Sequence, residues 1–416
     1  MHFRFAAAGA EIGLVPERRK GGFDVGENHL GRRCNVLFSK REVDALRLLN
    51  WCQFVPKQEL FSILPVSEIN TLVSVGLIKC NDENDAYIIS AKGIRALALV
   101  LDGRCPTVAP TYHKKAIERR LRLSRIMVTA YKAQIEVFTT EPEELLTAPS
   151  LFLSTITRGR GGDPWGGTRV GALLHLPDLV AAIHFVAPGI GNLSLVDEVS
   201  VLVNQSASIK DVGRAFFFAG ESYSSILSEL EAVAQHKNNK LVPYGEAYRM
   251  SPYPVFLLPC TDTGAKQLRL MSVPDYRRWF TRATLQSEYR SAPEDVPDWD
   301  AIFRGAPFVM AADMDLRRID RAVEATERLG YPAVSMAALE PQAKEVLCPR
   351  YADTGKAKVF VWTPEMEEDL FGDVLRLRPA ESKPYQNARG EYVHAPLIQA
   401  DRKSGRPPRK EARKLV

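Results

Sequence analysis

Phe38-Ser39-Lys40-Arg41-Glu42-Val43 opens the stretch on which the fold turns, and that stretch runs on to Val100. Ser39 followed three residues later by Glu42 is a capping box: the hydroxyl can accept from the first turn while the carboxylate reaches back to the cap N–H. Val43, Leu46, Leu49 and Cys52 then recur at helical spacing. After a break at Phe54-Val55, Pro56 suits the first position of a second helix carrying Leu60, Ile63 and Leu64. Pro65 ends it. Ser67 is placed to cap a third helix with Ile69, Leu72 and Val73 inward, and Gly76 stops that helix in the left-handed region.

Beyond Gly76 the period becomes extended. Leu77-Ile78-Lys79-Cys80 and Ala86-Tyr87-Ile88-Ile89 flank the polar turn Asp82-Glu83-Asn84-Asp85, the pattern of a hairpin, and a helix follows from Ala91 to about Val100. Three helices, a two-stranded wing and a closing helix predict a winged helix-turn-helix over 38–103. Val75-Gly76-Leu77-Ile78, with Tyr87-Ile88-Ile89-Ser90-Ala91-Lys92-Gly93-Ile94, resembles the third-helix end, wing and T-x-x-G helix start of MarR-like winged helices. The third helix offers Glu68, Asn70, Thr71 and Ser74 to base edges, none of them basic. Phosphate contacts are expected from Lys40, Arg41, Lys57, Lys79, Lys92 and Arg95, while the acidic wing tip would be repelled by a minor groove. The competing reading is a winged helix used as a protein-interaction scaffold.

The 416 residues allow two to three domains, and the formal net charge of +5 permits an anionic partner without demanding one. No apolar run approaches the roughly 18 residues of a membrane span, and Phe5-Ala6-Ala7-Ala8 is too brief for a signal-peptide core. Six scattered cysteines form no Cys-x-x-Cys pair, so no structural metal is expected, and reduced thiols in a cytoplasmic protein are the plain reading.

Residues 1–37, with Arg18-Arg19-Lys20 and Arg32-Arg33, read as a flexible basic arm. Residues 111–133 read as a basic helix whose apolar Ile117, Leu121, Ile126 and Met127 face a core and whose Arg119, Arg120, Arg122 and Arg125 point outward. Next to a winged helix, that helix would extend a positive footprint along a duplex; the bland reading is a solvated face. Residues 134–380 alternate strands and helices and predict a mixed-sheet α/β domain, so the fold class is α+β / α/β. Its expected strands are 135–138, 170–176, 179–186, 196–203, 215–218, 253–258, 308–314, 333–337 and 359–362, with a clear amphipathic helix from Leu316 to Leu329 closed by Gly330. Between the first two strands, a Gly-rich run holds Arg158, Arg160, Trp165 and Arg169, placed to touch a phosphate backbone or stack on a base unless it is only a hairpin tip. Residues 383–416 read as a disordered basic tail.

A winged helix followed by an α/β domain in a chain of this size resembles the replication-relaxation proteins of plasmids and integrative elements. The resemblance covers the winged helix, the basic helix and, more loosely, the strands from Arg169 to Phe218. It implies a DNA-binding role in replication or mobilisation of a mobile element, with double-stranded DNA and other replication or mobilisation proteins as partners. A degenerate restriction-endonuclease-like fold is one form the α/β domain can then take. Nuclease chemistry would need Asp178, after Pro177, to join Asp197 or Glu198 around Mg²⁺, but position 200 is Ser where a lysine is required. A nicking enzyme fares no better: His175 and His184 lack His-x-His spacing, and Tyr223 and Tyr253 have no evident partner. Asp313 and Asp315 form an Asp-x-Asp able to hold a cation, yet Asp315 is also an ordinary cap for the helix at Leu316. The expected protein is a non-enzymatic DNA binder without cofactor. The alternatives are a metal-dependent nuclease and a winged-helix transcriptional regulator, the latter needing a dimer to match a palindrome.

Overall fold

The computed structural model describes residues 38–101, 111–139, 145–158, 164–189, 192–232, 241–379 and 383–393. All of them belong to a single unit spanning Val36–Val416. The expected arm and Arg160 lie outside the described residues, as does the tail beyond 393.

The capping box forms as the sequence predicts: Glu42 N donates to Ser39 Oγ and Ser39 N to Glu42 Oε2, opening α1 (Lys40–Cys52). Val43, Leu46, Leu49 and Cys52 are buried, but so are Ala45, Leu48 and Trp51, because α1 is covered on more than one side. Val55–Pro56 is a short strand, β1. Pro56 therefore caps α2 (Lys57–Phe61) from extended backbone rather than sitting inside its first turn. Similarly, Pro65 caps α3 (Val66–Ser74), which corrects the expected Ser67 cap and leaves Ser67 on the helix surface.

β2 (Ile78–Asn81) and β3 (Ala86–Ile89) make the expected antiparallel hairpin, and β1 joins its other side in the order β1-β3-β2. Gly76 has φ +74, as a left-handed helix stop requires. α4 (Ala91–Val100) is pinned at its start: Ser90 Oγ donates to Gly76 O at 2.6 Å and accepts from Gly93 N at 2.9 Å. A Cβ on Gly93 would stand 2.2 Å from Leu77 O, so only glycine lets α4 approach the strand end this closely.

α5 (Lys114–Lys132) is the expected basic helix, but it is not a solvated one. From Leu123 onward its residues are buried except Arg125 and Lys132, since the helix packs against α1 and β1 on one side and against β4 and α9 on the other. Tyr131 Oη donates to Asp44 Oδ2 of α1 at 2.9 Å, and Arg378 lies over the Tyr131 ring at 4.4 Å.

Two five-stranded mixed sheets follow. The first joins β4 (Ser150–Leu153), β5 (Ala172–Leu176), β6 (Leu179–Phe185), β7 (Gly213–Gly220) and β8 (Val255–Pro259), side by side in chain order. β4, β5 and β6 are antiparallel neighbours; β7 and β8 run parallel to β6. Parallel neighbours need crossovers, here α6 (Leu195–Gln205), then α7 (Tyr223–Glu231) with α8 (Tyr244–Met250). α6 corrects the expected strand at 196–203. Ser194 caps it, and Leu195, Val199 and Leu202 pack inward while Val196 is exposed. The expected strand at 135–138 reduces to one bridge, Glu136 to Ser150.

α9 (Asp262–Met271) and α10 (Tyr276–Leu285) lead to the second sheet. It comprises β9 (Arg290–Ser291), β10 (Ala301–Phe303), β11 (Ala306–Met310), β12 (Val334–Leu339) and β13 (Ala357–Trp362), again in chain order. The directions repeat too: β9, β10 and β11 are antiparallel, and β12 and β13 run parallel to β11. Its crossovers are α11 (Leu316–Arg328), capped by Asp315 as expected, and α12 (Glu340–Gln342), which continues as a π-helix over Ala343–Ala352 containing Pro349. α13 (Pro364–Phe371) packs Phe371 against Trp362.

The two sheets meet through buried polar side chains. Gln267 Nε2 donates to the carbonyls of Leu257 and Asp313, and Gln342 Nε2 to Ala312 O and to Tyr223 Oη, which itself donates to Gln267 Oε1. Residues 383–385 return to the first helix, with Lys40 N donating to Lys383 O and Tyr385 N to Phe38 O. Residues 386–393 fold back on this segment through Asn387 N to Glu391 O and Val393 N to Tyr385 O, so 383–393 are structured where a disordered tail was expected.

Candidate nucleic-acid interface

α3 buries Ile69 and Leu72 and turns its other side outward. Ser67, Asn70, Thr71 and Ser74 are all exposed and stand at i, i+3, i+4 and i+7, which makes one stripe. Thr71 Oγ1 donates to Ser67 O and Ser74 Oγ to Thr71 O, so both hydroxyls keep lone pairs facing solvent. Asn70, Thr71 and Ser74 were singled out in the sequence. Ser67 was missed because it was spent as a cap, although its spacing to Thr71 and Ser74 places it on the same face.

The basic residues around this stripe are largely engaged. Arg41 is ion-paired with Glu68 of α3, its Nε donating to Glu68 Oε2 at 2.9 Å. Lys57 lies 3.1 Å from both Asp82 and Asp85 in the wing, and hydrogen bonds to those two carboxylates raise its pKa. The wing's acidity is thus partly met from within. Lys92 is half-buried, whereas Lys79 and Arg95 are exposed. Lys40 begins α1 and anchors residue 383 through its backbone.

The arginines of α5 do not form an outward face; each is half-buried. Arg125 is paired with Glu221 and lies 4.0 Å from Glu59, and Arg122 lies 3.8 Å from Glu118. Burial lowers the pKa of Arg120, which stands near the buried Cys52, whose own thiol is pushed up to about 12 by burial. The covering of both flanks by other elements is the reason, and a local run of charge carries no sign of it.

The Gly-rich run behaves the same way. Arg158 donates to the carbonyls of Gly166, Thr168 and Val170, and so closes its own loop. Trp165 is fully buried, stacked on Phe152 with its Nε1 on Thr157. Neither is available to a base. Arg169 is exposed.

The proposed nuclease acids do not converge. Asp178, in the tight turn before β6, accepts from Asp275 N at 2.8 Å and lines a cleft of about 380 Å³ shared with Arg214 and Arg277. Glu198 is buried on α6, where it accepts from Arg169 N and bonds His184 Nε2 at 3.0 Å. His184 is near the far end of β6 from Asp178, about 20 Å away at the usual rise per residue. Asp197 faces solvent. Asp313 is fully buried and bonded by Arg277 and Tyr276. Burial alone would raise its pKa, but the guanidinium groups of Arg277 and Arg318 hold it below the ordinary 3.8. His175 Nδ1 is bonded to Leu145 O, and Tyr223 is locked between Gln267 and Gln342. Among the described residues no group of three or more His, Cys, Asp or Glu is placed to hold a metal ion, and no helix is long and apolar enough to cross a membrane.

No protein-family model, no curated protein and no solved structure matches this chain.

Proposed function

We infer that residues 38–101 act as a winged helix-turn-helix and that the protein binds double-stranded DNA in the replication or mobilisation of a mobile element. The observation that carries this reading is the exposed stripe Ser67, Asn70, Thr71 and Ser74 on α3. An Asn amide pairs with an adenine edge, and small hydroxyls suit bases or phosphates. Behind it, α1 and the β1-β3-β2 sheet hold the helix as a rigid ridge, with Arg41 and Lys57 spent on orienting α3 and the wing. Phosphate contacts then fall to the exposed Lys79 and Arg95 and to the basic segments outside the described residues.

The order α5-β4-β5-β6-α6-β7 supports a degenerate restriction-endonuclease-like reading of the first sheet. Its acids are internally paired, separated or solvent-facing, which favours a structural or assembly role over strand cleavage.

The test is duplex-DNA binding over a salt series, with and without Mg²⁺, for wild type and for Asn70→Ala/Thr71→Ala. A salt-dependent affinity that falls about tenfold in the variant, with DNA recovered intact, is the expected result. Absence of binding by the wild type at low salt rejects the reading, and Mg²⁺-dependent cleavage rejects its non-enzymatic part.

A further inference from the structure

Between α7, α8, α11 and the π-helix lies an open groove of about 570 Å³ with an unusual balance of charge on its walls. Arg249, Arg317, Arg321 and Arg350 line it against Asp320 and Glu231. Two of the arginines are compensated: Arg350 makes a forked pair with Asp320, and Arg321 with Asp298. The other two are not. Arg317 is planted by Nη1 on the carbonyls of Tyr248, Ser251 and Tyr253, which fix its guanidinium without neutralising it. Arg249 is exposed and makes no ion pair or hydrogen bond with the described residues. Tyr248 also borders the groove, its hydroxyl shielded from solvent and without a hydrogen-bond partner among the described residues.

We propose that this groove binds the phosphate of a nucleotide unit. A guanidinium held in place by backbone carbonyls is a preorganised fork for a tetrahedral oxyanion, which a flexible lysine is not. Leu227, Leu230, Leu316 and the Tyr248 ring supply apolar wall beside the charged one, as a base next to its phosphate requires. An acidic peptide would leave that wall unused. The phosphate can belong to a free nucleotide or to a single-stranded nucleic acid, and the site is independent of α3.

The experiment uses the full chain with two probes, a fluorescent N-methylanthraniloyl ATP and a fluorescein-labelled oligothymidylate, followed by anisotropy at low and moderate salt. Arg249→Glu reverses an exposed charge that makes no ion pair with the described residues, so its melting temperature should match the wild type. Its affinity for the responding probe should fall about tenfold. Tyr248→Phe removes only the shielded hydroxyl and keeps the ring that lines the groove, so it should hold the same probe within about twofold of the wild type. A response to the nucleotide alone identifies a free ligand; a response to the oligonucleotide identifies a strand. Binding of neither probe by the wild type overturns the proposal, as does wild-type affinity in Arg249→Glu. Asn70→Ala/Thr71→Ala should leave either probe's affinity unchanged, so failure of the duplex reading and failure of this one are separable.

Discussion

The two five-stranded sheets share strand order, strand direction and a crossover helix after the third strand, yet they fill the same position with opposite chemistry. At the end of β6, Glu198 in the first turn of α6 reaches back to His184 and Arg169 N, among Phe216 and Phe218. At the end of β11, Arg318 in the first turn of α11 reaches back to Met310 O and Asp300, with Asp313 and Arg277 beside it. One sheet closes the slot with a carboxylate–imidazole pair, the other with a network of acids and guanidinium groups. The shared topology sets a helix start over the strand end in both sheets; it does not dictate which side chains meet there. In both cases most donors and acceptors are spent on one another, and among the described residues neither sheet gathers three or more His, Cys, Asp or Glu around a cation.

The comparison breaks most visibly at Asp313. Asp313→Ala leaves Arg277 and Arg318 without their shared buried carboxylate and is expected to cost about 3–5 kcal/mol by denaturant titration. A loss below about 1 kcal/mol would mean that the second network is no tighter than a surface pair. The same residue fixes the acid limb. Because its folded pKa is depressed below 3.8, its contribution is present above about pH 4 and lost as the pH falls through the folded value. Asp315 acts with the opposite sign, since burial and then the Asp313 charge raise its pKa, so it detracts from stability while ionised. Asp313→Asn should therefore flatten stability against pH below about 4.

Tyr223 tests whether the two sheets unfold together. Tyr223→Phe strips a hydroxyl that both donates to Gln267 and accepts from Gln342, leaving two buried amides short of a partner. A cost of about 1–3 kcal/mol with one cooperative transition is expected. Two separate transitions would show that the sheets are only loosely joined.

Much of this architecture is written locally and some is not. The Ser39/Glu42 box, the Gly76 stop, the hairpin and the Asp315 cap depend on residues within a few positions of each other, and all form as read. α6 was read as a strand because Val196, Val199, Val201 and Val203 favour extended backbone; the need to cross between parallel β6 and β7 outweighs that preference. The burial of α5, Arg158 and Trp165 depends on which distant elements cover them, and the repeated sheet depends on pairing between strands far apart in the chain. A window of sequence holds neither. For the candidate interface, the polar face of α3 was legible from its spacing, while the ion pairs that occupy Arg41, Lys57 and Arg125 were not, since each partner lies at least 25 residues away.

The finest contrast lies within α6 itself, where Asp197 and Glu198 are neighbours in the chain and opposites in environment. Glu198→Gln preserves an acceptor for Arg169 N but presents an amide N–H to His184 Nε2, so the ring must move its proton to Nδ1. Nδ1 has no partner among the described residues, and the swap should cost about 1–2 kcal/mol. Ring ¹⁵N shifts of His184 would report the change of tautomer directly. Asp197→Ala, by contrast, removes an exposed carboxylate from the first turn of a helix, where it contributes only through the dipole. The loss should stay within about 0.5 kcal/mol, with the His184 ring signals unmoved. If Asp197→Ala instead shifted those signals or cost as much as Glu198→Gln, the two carboxylates would be acting on one site. The slot in the first sheet would then have to be read as open to a shared ligand after all.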